Sequence, residues 1–153
     1  MSAVGGQMNV GELCTREVYI VNAAEPLSQA VHEMRKRNIG CVVVVEQHGD
    51  RTTPIGIVTD RDIVRALPDY PGGIGALCVA DVMTRAPLTL SEDESIVEGM
   101  DRLRQRGVRR APVTAASGDL VGIVSTDDCL GIVAEQLGSL ARLVERQMQP
   151  QRR

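Results

Sequence analysis

The apolar residues of this chain follow helix-like and strand-like periods, and the same order of periods occurs twice. Helical spacing appears over residues 27–34 and again over residues 96–103. Short apolar runs typical of buried strands follow each of these segments. The runs are residues 41–45 and 55–59 in the first series, and residues 111–114 and 120–125 in the second. The pattern predicts two copies of a strand, helix, strand, strand, helix unit, whose second helices begin at about Arg61 and Asp127.

Two residues mark where the first helix of each copy should end. Asn38 and Gly107 follow the helical patterns, and both residue types adopt a positive φ readily. Acidic residues precede each helix and basic residues close it, which suits the helix dipole. We therefore expect the two helices to stop at equivalent positions.

One short stretch is written almost identically in both copies. The segment Gly-Ile-Val-Thr-Asp-Arg-Asp begins at Gly56, and Gly-Ile-Val-Ser-Thr-Asp-Asp begins at Gly122, 66 residues later. Upstream, the two copies match at an offset of 69, as Val10 does with Val79. The first copy therefore holds three extra residues, most simply in a loop over residues 46–53. A period in the sixties is typical of a duplicated small α/β unit.

Each copy is too small to bury a stable core alone, so the two should pack together as one module. The predicted fold class is α/β (α+β), with two pseudo-symmetric β-α-β-β-α repeats. The predicted divisions are an N-terminal tail (1–9), repeat 1 (10–67), a Pro- and Gly-rich linker (68–77), repeat 2 (78–137), and a C-terminal helix extension with a basic tail (138–153). Residues 147–153 are expected to be disordered.

Composition narrows the classes of function. The chain contains no Phe or Trp, which argues against an aromatic platform for single-stranded nucleic acid. Its net charge of −3 argues against a general polyanion binder. The four cysteines and two histidines have no metal-ligand spacing, so we expect no metal site and a reduced, cytoplasmic protein. We identify no signal peptide and no membrane span.

The last helix carries an apolar stripe that continues beyond the repeat. Its members are Leu130, Val133, Leu137, Leu140, Val144 and Met148. The corresponding pattern in the first copy ends at Leu67, so the second copy has little left of its own to cover the longer stripe. We expect the stripe to be buried against a second copy of the chain, which gives a homodimer.

The repeated turn has two interpretations. A hydroxyl residue followed three positions later by an acid, as in Thr59 and Asp62 or Ser125 and Asp128, is close to a capping box that only satisfies backbone N–H groups. Alternatively, the free N–H groups accept a phosphate while the acid accepts from a ribose diol. The two roles are compatible, and spacing alone leaves them about even.

The two copies resemble a pair of CBS domains, the tandem often called a Bateman module. The resemblance covers residues 10–136. The second copy opens with Val-Ala-Asp-Val-Met-Thr at Val79, and residues 10–15 are a looser version. A hydrophobic-x-hydrophobic-Pro element ends in Pro112-Val113, whereas its equivalent has Val43 in the proline position.

The resemblance implies a regulatory binding module that is not an enzyme. It would bind an adenosine-containing ligand between its repeats and signal to an effector protein by a conformational change. The implied ligands are AMP, ADP or ATP, with S-adenosylmethionine or NAD as further members of the class, and no cofactor is required. The first implied site comprises Thr15, Val18, Tyr19, Cys41, Val42, Val43, Thr59, Asp60, Arg61 and Asp62. The second comprises Thr84, Pro87, Leu88, Arg109, Arg110, Ala111, Pro112, Ser125, Thr126, Asp127 and Asp128.

Within these sites, the resemblance assigns the ribose hydroxyls to Asp62 and Asp128. Because Arg61 lies in the first turn and Asp127 in the second, we predict that the first site prefers the more highly phosphorylated ligand. Tyr19 is the one aromatic residue placed to stack on a base.

Three other functions compete with this hypothesis. The alternative is a structural or dimerisation module with degenerate, unoccupied sites. Catalysis is disfavoured, since His32 is placed on a helix and His48 in a loop, without partners at catalytic spacing. The net negative charge disfavours nucleic-acid binding.

Overall fold

A computed structural model describes residues 8–148 as two small β-sheets, each with helices packed on one face. In chain order the elements are α1 (Val10–Leu13), β1 (Ile20–Val21), α2 (Leu27–Arg37), β2 (Cys41–His48), β3 (Arg51–Thr59), α3 (Asp60–Ala66), α4 (Val79–Val82), β4 (Thr84–Arg85), β5 (Leu90–Ser91), α5 (Ile96–Arg106), β6 (Arg110–Thr114), β7 (Leu120–Ser125) and α6 (Thr126–Met148). Between α3 and α4 lie two 3-10 turns, Leu67–Asp69 and Ile74–Ala76. The predicted α/β fold of two similar repeats is confirmed.

The two sheets have the same topology. The first has the strand order β1-β2-β3-β4 and the second β5-β6-β7. In each, the first strand runs parallel to the second, and the second is antiparallel to the third. The helices α2 and α5 make the parallel connections, and each ends on the predicted residue in a left-handed conformation, Asn38 at φ 54° and Gly107 at φ 64°.

The opening segment of the second repeat packs on the first sheet. Val79 of α4 is fully buried in the first core, and its N–H donates to the carbonyl of Glu25 at 2.9 Å. Strand β4 then pairs with β3, where Thr84 lies opposite Ile57. The second copy therefore completes the first sheet.

The opening segment of the first repeat makes the reciprocal crossing. Val10 of α1 is buried in the second core, and its N–H donates to the carbonyl of Glu94 at 2.8 Å. Thr15 and Ile123 of β7 exchange two backbone hydrogen bonds of 2.9 Å each. Asn9 caps α1, and the carbonyl of Met8 accepts from the N–H of Ile96, so both residues of the predicted tail that are described contact the second repeat.

The predicted loop over residues 46–53 is wrong. Strands β2 and β3 continue through that region as a hairpin whose tight turn contains Gly49 at φ 61°. The tip reaches the second repeat, because the N–H of Thr52 donates to Oδ1 of Asp119 at 3.0 Å and Arg51 donates to the carbonyl of Ser117. The three extra residues lengthen a hairpin, and His48 ends a strand.

Side chains alternate across β2, and both faces are covered. Val42 and Val44 belong to the first core. Val43 points to the opposite face, because successive strand residues alternate. It is nevertheless fully buried, and its counterpart Pro112 in β6 is buried as well. Both faces of β2 are therefore shielded from solvent over residues 42–44.

The final helix extends well beyond the second core. Of its 23 residues, Cys129 is buried, and the predicted apolar stripe is 46–78% exposed. The helix runs without a break to Met148, so residues 147 and 148, predicted to be disordered, are helical. The rest of the predicted tail lies outside the described residues. No helix between residues 8 and 148 has both the length and the apolar character to cross a membrane.

Candidate functional site

The two repeated turns have the same hydrogen-bond geometry. In the first, Oδ2 of Asp62 accepts from the N–H of Thr59 at 2.9 Å and from its hydroxyl at 2.8 Å, while Oγ1 of Thr59 accepts from the N–H of Asp62 at 3.1 Å. In the second, Ser125 and Asp128 make the corresponding bonds at 2.9, 2.8 and 3.2 Å. Both turns are therefore complete capping boxes.

Each capping box uses only one carboxylate oxygen. Both bonds to Asp62 and both to Asp128 end on Oδ2. Within residues 8–148, no hydrogen bond reaches Oδ1 of either residue. Capping uses Oδ2 of each aspartate, and Oδ1 is left for a ligand. A capping role therefore does not exclude a binding role.

Each turn lies at a cleft between the repeats. The cleft beside the Ser125 turn, which we call the tyrosine cleft, has a volume of about 230 Å³. Its lining is Thr15, Glu17, Val18, Tyr19, Ile39, Gly40, Cys41, Arg110, Ile123, Val124, Ser125 and Asp128.

The cleft beside the Thr59 turn, which we call the arginine cleft, has a volume of about 530 Å³. Its lining is Ile57, Thr59, Asp60, Arg61, Asp62, Arg65, Thr84, Gly107, Val108, Arg109, Arg110 and Asp127. This volume is typical of small-molecule sites, whereas that of the tyrosine cleft lies slightly below them.

These linings group the predicted residues differently from the grouping by repeat. Thr15, Val18, Tyr19 and Cys41, predicted with Thr59, lie with Ser125 in the tyrosine cleft. Conversely, the predicted second-site residues Thr84, Arg109, Arg110 and Asp127 line the arginine cleft with Thr59. For Thr15 and Thr84 the reason is the exchange of opening segments, which places the start of each repeat beside the last strand of the other. Both clefts are composite.

Seven predicted residues line neither cleft in the described chain. They are Val42, Val43, Pro87, Leu88, Ala111, Pro112 and Thr126. Four of them are buried strand residues, since Val42 and Ala111 belong to the two cores and Val43 and Pro112 are also buried. Leu88 packs against the second core. Pro112 and its equivalent Val43 therefore do not line the clefts in the described chain.

The two clefts differ in charge. The arginine cleft is lined by four arginines and three aspartates, and the tyrosine cleft by Arg110 against Glu17 and Asp128. Asp127 was expected to add negative charge beside Ser125. Instead it lies in the arginine cleft, with Oδ1 3.5 Å from Nη2 of Arg109. The surplus of arginines in the larger cleft remains.

Arg110 lines both clefts. Its guanidinium lies over Gly40, where a methyl group would be 3.4 Å from Nη2 and also 3.4 Å from Oδ2 of Asp60. Gly40 lines the tyrosine cleft and Asp60 the arginine cleft. The Arg110 guanidinium therefore lies beside Gly40, between the two clefts.

Two neutral side chains shape the tyrosine cleft. One face of the Tyr19 ring is taken by Arg37, whose Cζ is 4.7 Å from the ring centroid. Burial, followed by the charge of Glu33, raises the pKa of the Tyr19 hydroxyl. Burial also raises the pKa of the Cys41 thiol, and the nearby Arg110 opposes this only in part. Both groups are therefore protonated at neutral pH.

Some lining residues were not predicted. They are Glu17, Ile39, Gly40, Ile123 and Val124 in the tyrosine cleft, and Ile57, Arg65, Gly107 and Val108 in the arginine cleft. Arg65 had a usable signal, because it lies one helical turn after Arg61. Glu17 lies within the segment 15–19 that the resemblance places around the base, and the others are apolar or small residues without such a signal.

Neither histidine lines a cleft in the described chain, and His32 is exposed on α2. Among residues 8–148, no three His, Cys, Asp or Glu side chains form a group that could hold a metal ion.

Comparison with known proteins gives consistent matches. The sequence model of the CBS domain family matches residues 10–69 and 79–135. Protein MK0525 of Methanopyrus kandleri is 30% identical over 125 residues, which span 82% of this chain and 62% of that protein. YlbB of Bacillus subtilis is 31% identical over 78% of both chains. The CBS domain pair of protein MJ0100, solved with 5'-methylthioadenosine and S-adenosyl-L-methionine, has a TM-score of 0.74 at 22% identity, covering 86% of this chain and 99% of that one.

Proposed function

The chain belongs to the CBS domain family, and from that premise we propose that it is a regulatory module which binds adenosine-containing ligands in two composite clefts. Binding would be passed to a separate partner protein as a conformational change. The observation that carries the proposal is the pair of capping boxes, each at a cleft and each with an unused carboxylate oxygen. An unused aspartate oxygen beside a hydroxyl residue suits the two hydroxyls of a ribose.

The charges support a division of ligands between the clefts. We assign the more highly phosphorylated ligand, ATP or ADP, to the arginine cleft, because Arg61, Arg65 and Arg109 line it alone. Guanidinium groups match phosphate oxygens in charge and geometry. The tyrosine cleft is smaller and carries Glu17, so it suits an adenosine with little or no phosphate, and Tyr19 offers one ring face to the base.

The position of the clefts supports a mechanism of signalling. A ligand in either cleft contacts both repeats, so it favours one relative orientation of the repeats over others. The repeats are also joined at the hairpin tip, where Thr52 and Asp119 are hydrogen-bonded. This contact lies about 23 Å along β3 from Thr59, given seven residue steps of 3.3 Å. The repeats are therefore joined both at the tip and beside the clefts, where Ile57 pairs with Thr84.

Thermal unfolding with single ligands tests the proposal. AMP, ADP, ATP, S-adenosylmethionine and NAD are each added at about 100 times the Kd, which should stabilise the protein by about 2.7 kcal/mol. For a chain of this length, that corresponds to a rise in Tm of roughly 5–10 °C. The double variant D62N/D128N retains side chains that can cap but lacks the carboxylates, so it should lose the rise. No rise in the wild-type protein, or an equal rise in the double variant, contradicts the proposal.

The exposed stripe on α6 supports a homodimer. From Leu130 to Val144, apolar residues follow spacings of three and four, which is the period of a left-handed coiled coil. The charged residues Glu135, Arg142 and Glu145 lie off this stripe, so it offers no charge to a different partner. We assign the stripe to a second copy of the chain. In analytical ultracentrifugation, L137E/L140E should sediment as a monomer at concentrations where the wild type is a dimer; a monomeric wild type contradicts the assignment.

One observation favours the alternative of a structural module. The two capping boxes are complete without a ligand, so the repeated turn is explained by folding alone. If the module only joins other proteins, D62N/D128N should leave partner binding unchanged.

The cysteines bear on the location of the protein. In the described chain all four are free thiols, which supports the proposed cytoplasmic location.

A further inference from the structure

The two clefts share one cationic side chain, and the equivalent position in the other repeat has no arginine. Among residues 8–148, Arg110 is the single residue common to both linings. By the offset of 69, its counterpart in the first repeat is Cys41, whose thiol is protonated and carries no charge. Neighbouring Arg109 has Gly40 as its counterpart, so the first repeat has no arginine at either position. The pseudo-symmetry of the module is therefore broken at the boundary between its clefts.

The environment of Arg110 makes it adjustable. It is half-buried, its guanidinium lies beside Gly40 and Asp60, and among the described residues it makes no ion pair shorter than 4.0 Å. The other arginines of the arginine cleft do not reach the tyrosine cleft. A phosphate in the tyrosine cleft therefore has Arg110 as its only lining cation.

A shared guanidinium couples the occupants of the two clefts. A phosphate that accepts two parallel N–H bonds fixes the guanidinium plane on its own side. A second phosphate in the other cleft then finds the cation turned away and its charge already neutralised. Relying on the proposed function, we propose that Arg110 makes the two clefts anticooperative for phosphorylated adenosine ligands. Because coupling between sites is reciprocal, it acts in whichever order the clefts fill.

Isothermal titration with AMP tests the coupling. D62N leaves only the tyrosine cleft competent and D128N only the arginine cleft, so these proteins give the affinity of each cleft alone. In the wild type, the second AMP should bind at least about fivefold more weakly than the weaker isolated cleft, a typical size for coupling between sites. The same comparison is then made in an R110Q background, which keeps the aliphatic stem and removes the charge. There, the two-site protein should match its isolated clefts within a factor of two.

Two control variants separate charge from geometry. R110K keeps the charge without the planar fork, so the coupling should fall below that of the wild type while affinity falls less than in R110Q. R65A removes a cation that lines the arginine cleft alone, so it should weaken that cleft and leave the coupling factor unchanged.

The outcomes are distinct. Wild-type affinities equal to those of the isolated clefts overturn the coupling while leaving the proposed function intact. Coupling that persists in R110Q also overturns the role of Arg110, because direct repulsion between two phosphates then accounts for it. Absence of AMP binding in the wild type and both single-site proteins, together with no thermal shift from the other adenosine ligands, overturns the proposed function itself and the coupling with it.

Discussion

The turn at Thr59 and the turn at Ser125 agree in all three hydrogen bonds to within 0.1 Å, yet their surroundings differ. One lies in a cleft with four arginines and the other in a cleft less than half that volume with one. The duplicated part is the local cap, which a short sequence specifies. The differing part comes from segments far apart in sequence. The repeated turn is thus the same in both clefts, and the charge that distinguishes the clefts comes from α3 and the start of β6.

The largest expected effect comes from adding a methyl group at the two glycines on which the exchanged segments pack. The effect should be larger at Gly122 than at Gly56. At Gly122, a methyl group would lie 2.6 Å from Sγ of Cys14 and 2.8 Å from the carbonyl of Thr15. At Gly56, the nearest atom is Sδ of Met83 at 2.8 Å, on a flexible side chain that can move. We expect G122A to lower the free energy of unfolding by about 2–3 kcal/mol, and G56A by about 1 kcal/mol.

Urea unfolding of both variants measures the difference. A smaller loss for G122A than for G56A would contradict the close packing of the residue 14–15 segment on β7. The comparison has an internal control, since both glycines lie in the same place of the repeated sequence.

Local features were predictable from sequence, and the exchange was not. The α2 and α5 patterns and their stop residues are long enough to show a period. The segments that cross, α1 and α4, have four residues each, too few to show one. A segment without a period gives no sign of which sheet it joins, so the sequence suggests grouping the residues by repeat, whereas the cleft linings combine both repeats.

The hairpin illustrates a second limit. Residues 46–53 are polar and contain a glycine, which is typical of a loop. They form strands because backbone pairing continues beyond the buried part of the sheet, where nothing selects apolar side chains. An exposed strand of this kind has no hydrophobic signal to detect.

Removing one hydroxyl at a time tests whether the two caps are equivalent. T59A and S125A each remove an acceptor for a backbone N–H and a donor to the aspartate, so each should cost about 1 kcal/mol of stability. Thermal unfolding without ligand measures both. A loss in only one variant would show that the equal hydrogen bonds are not equal in energy.

A charge substitution sharpens the contrast between clefts. Arg61 is exposed at the edge of the arginine cleft, so R61A should lower the preference for ATP over AMP by about two- to fivefold without changing stability. Titration calorimetry with both nucleotides gives the ratio, and R106A, an exposed arginine of α5 that lines neither cleft, serves as the control. An unchanged ratio in R61A would rule out this residue as the source of selectivity.

The smallest expected effect concerns the hairpin tip, a feature of the first repeat alone. The hydrogen bond from Ser117, then that from the N–H of Thr52, lowers the pKa of Asp119. A carboxyl with a lowered folded-state pKa stabilises the protein above its unfolded value of about 3.9, and this stabilisation is lost as the pH falls through the folded value. D119N should therefore be less stable than the wild type at pH 7, and the difference should shrink below about pH 4.

Chemical unfolding across this pH range follows the effect. D69N, which changes an exposed aspartate without a side-chain hydrogen bond in the described chain, provides the baseline. A difference between D119N and the wild type that stays constant with pH would contradict the ionic contribution of Asp119.

The composite nature of the clefts is most directly tested by amide NMR of the single-site proteins during titration with AMP. In D62N, shifts should persist at Thr15 and Tyr19, because those residues share the tyrosine cleft with the intact Ser125 turn, and should be lost at Thr84. In D128N the pattern should reverse. If D62N instead abolishes the shifts at Thr15 and Tyr19, each site is formed within one repeat, and the account of exchanged, composite clefts is contradicted.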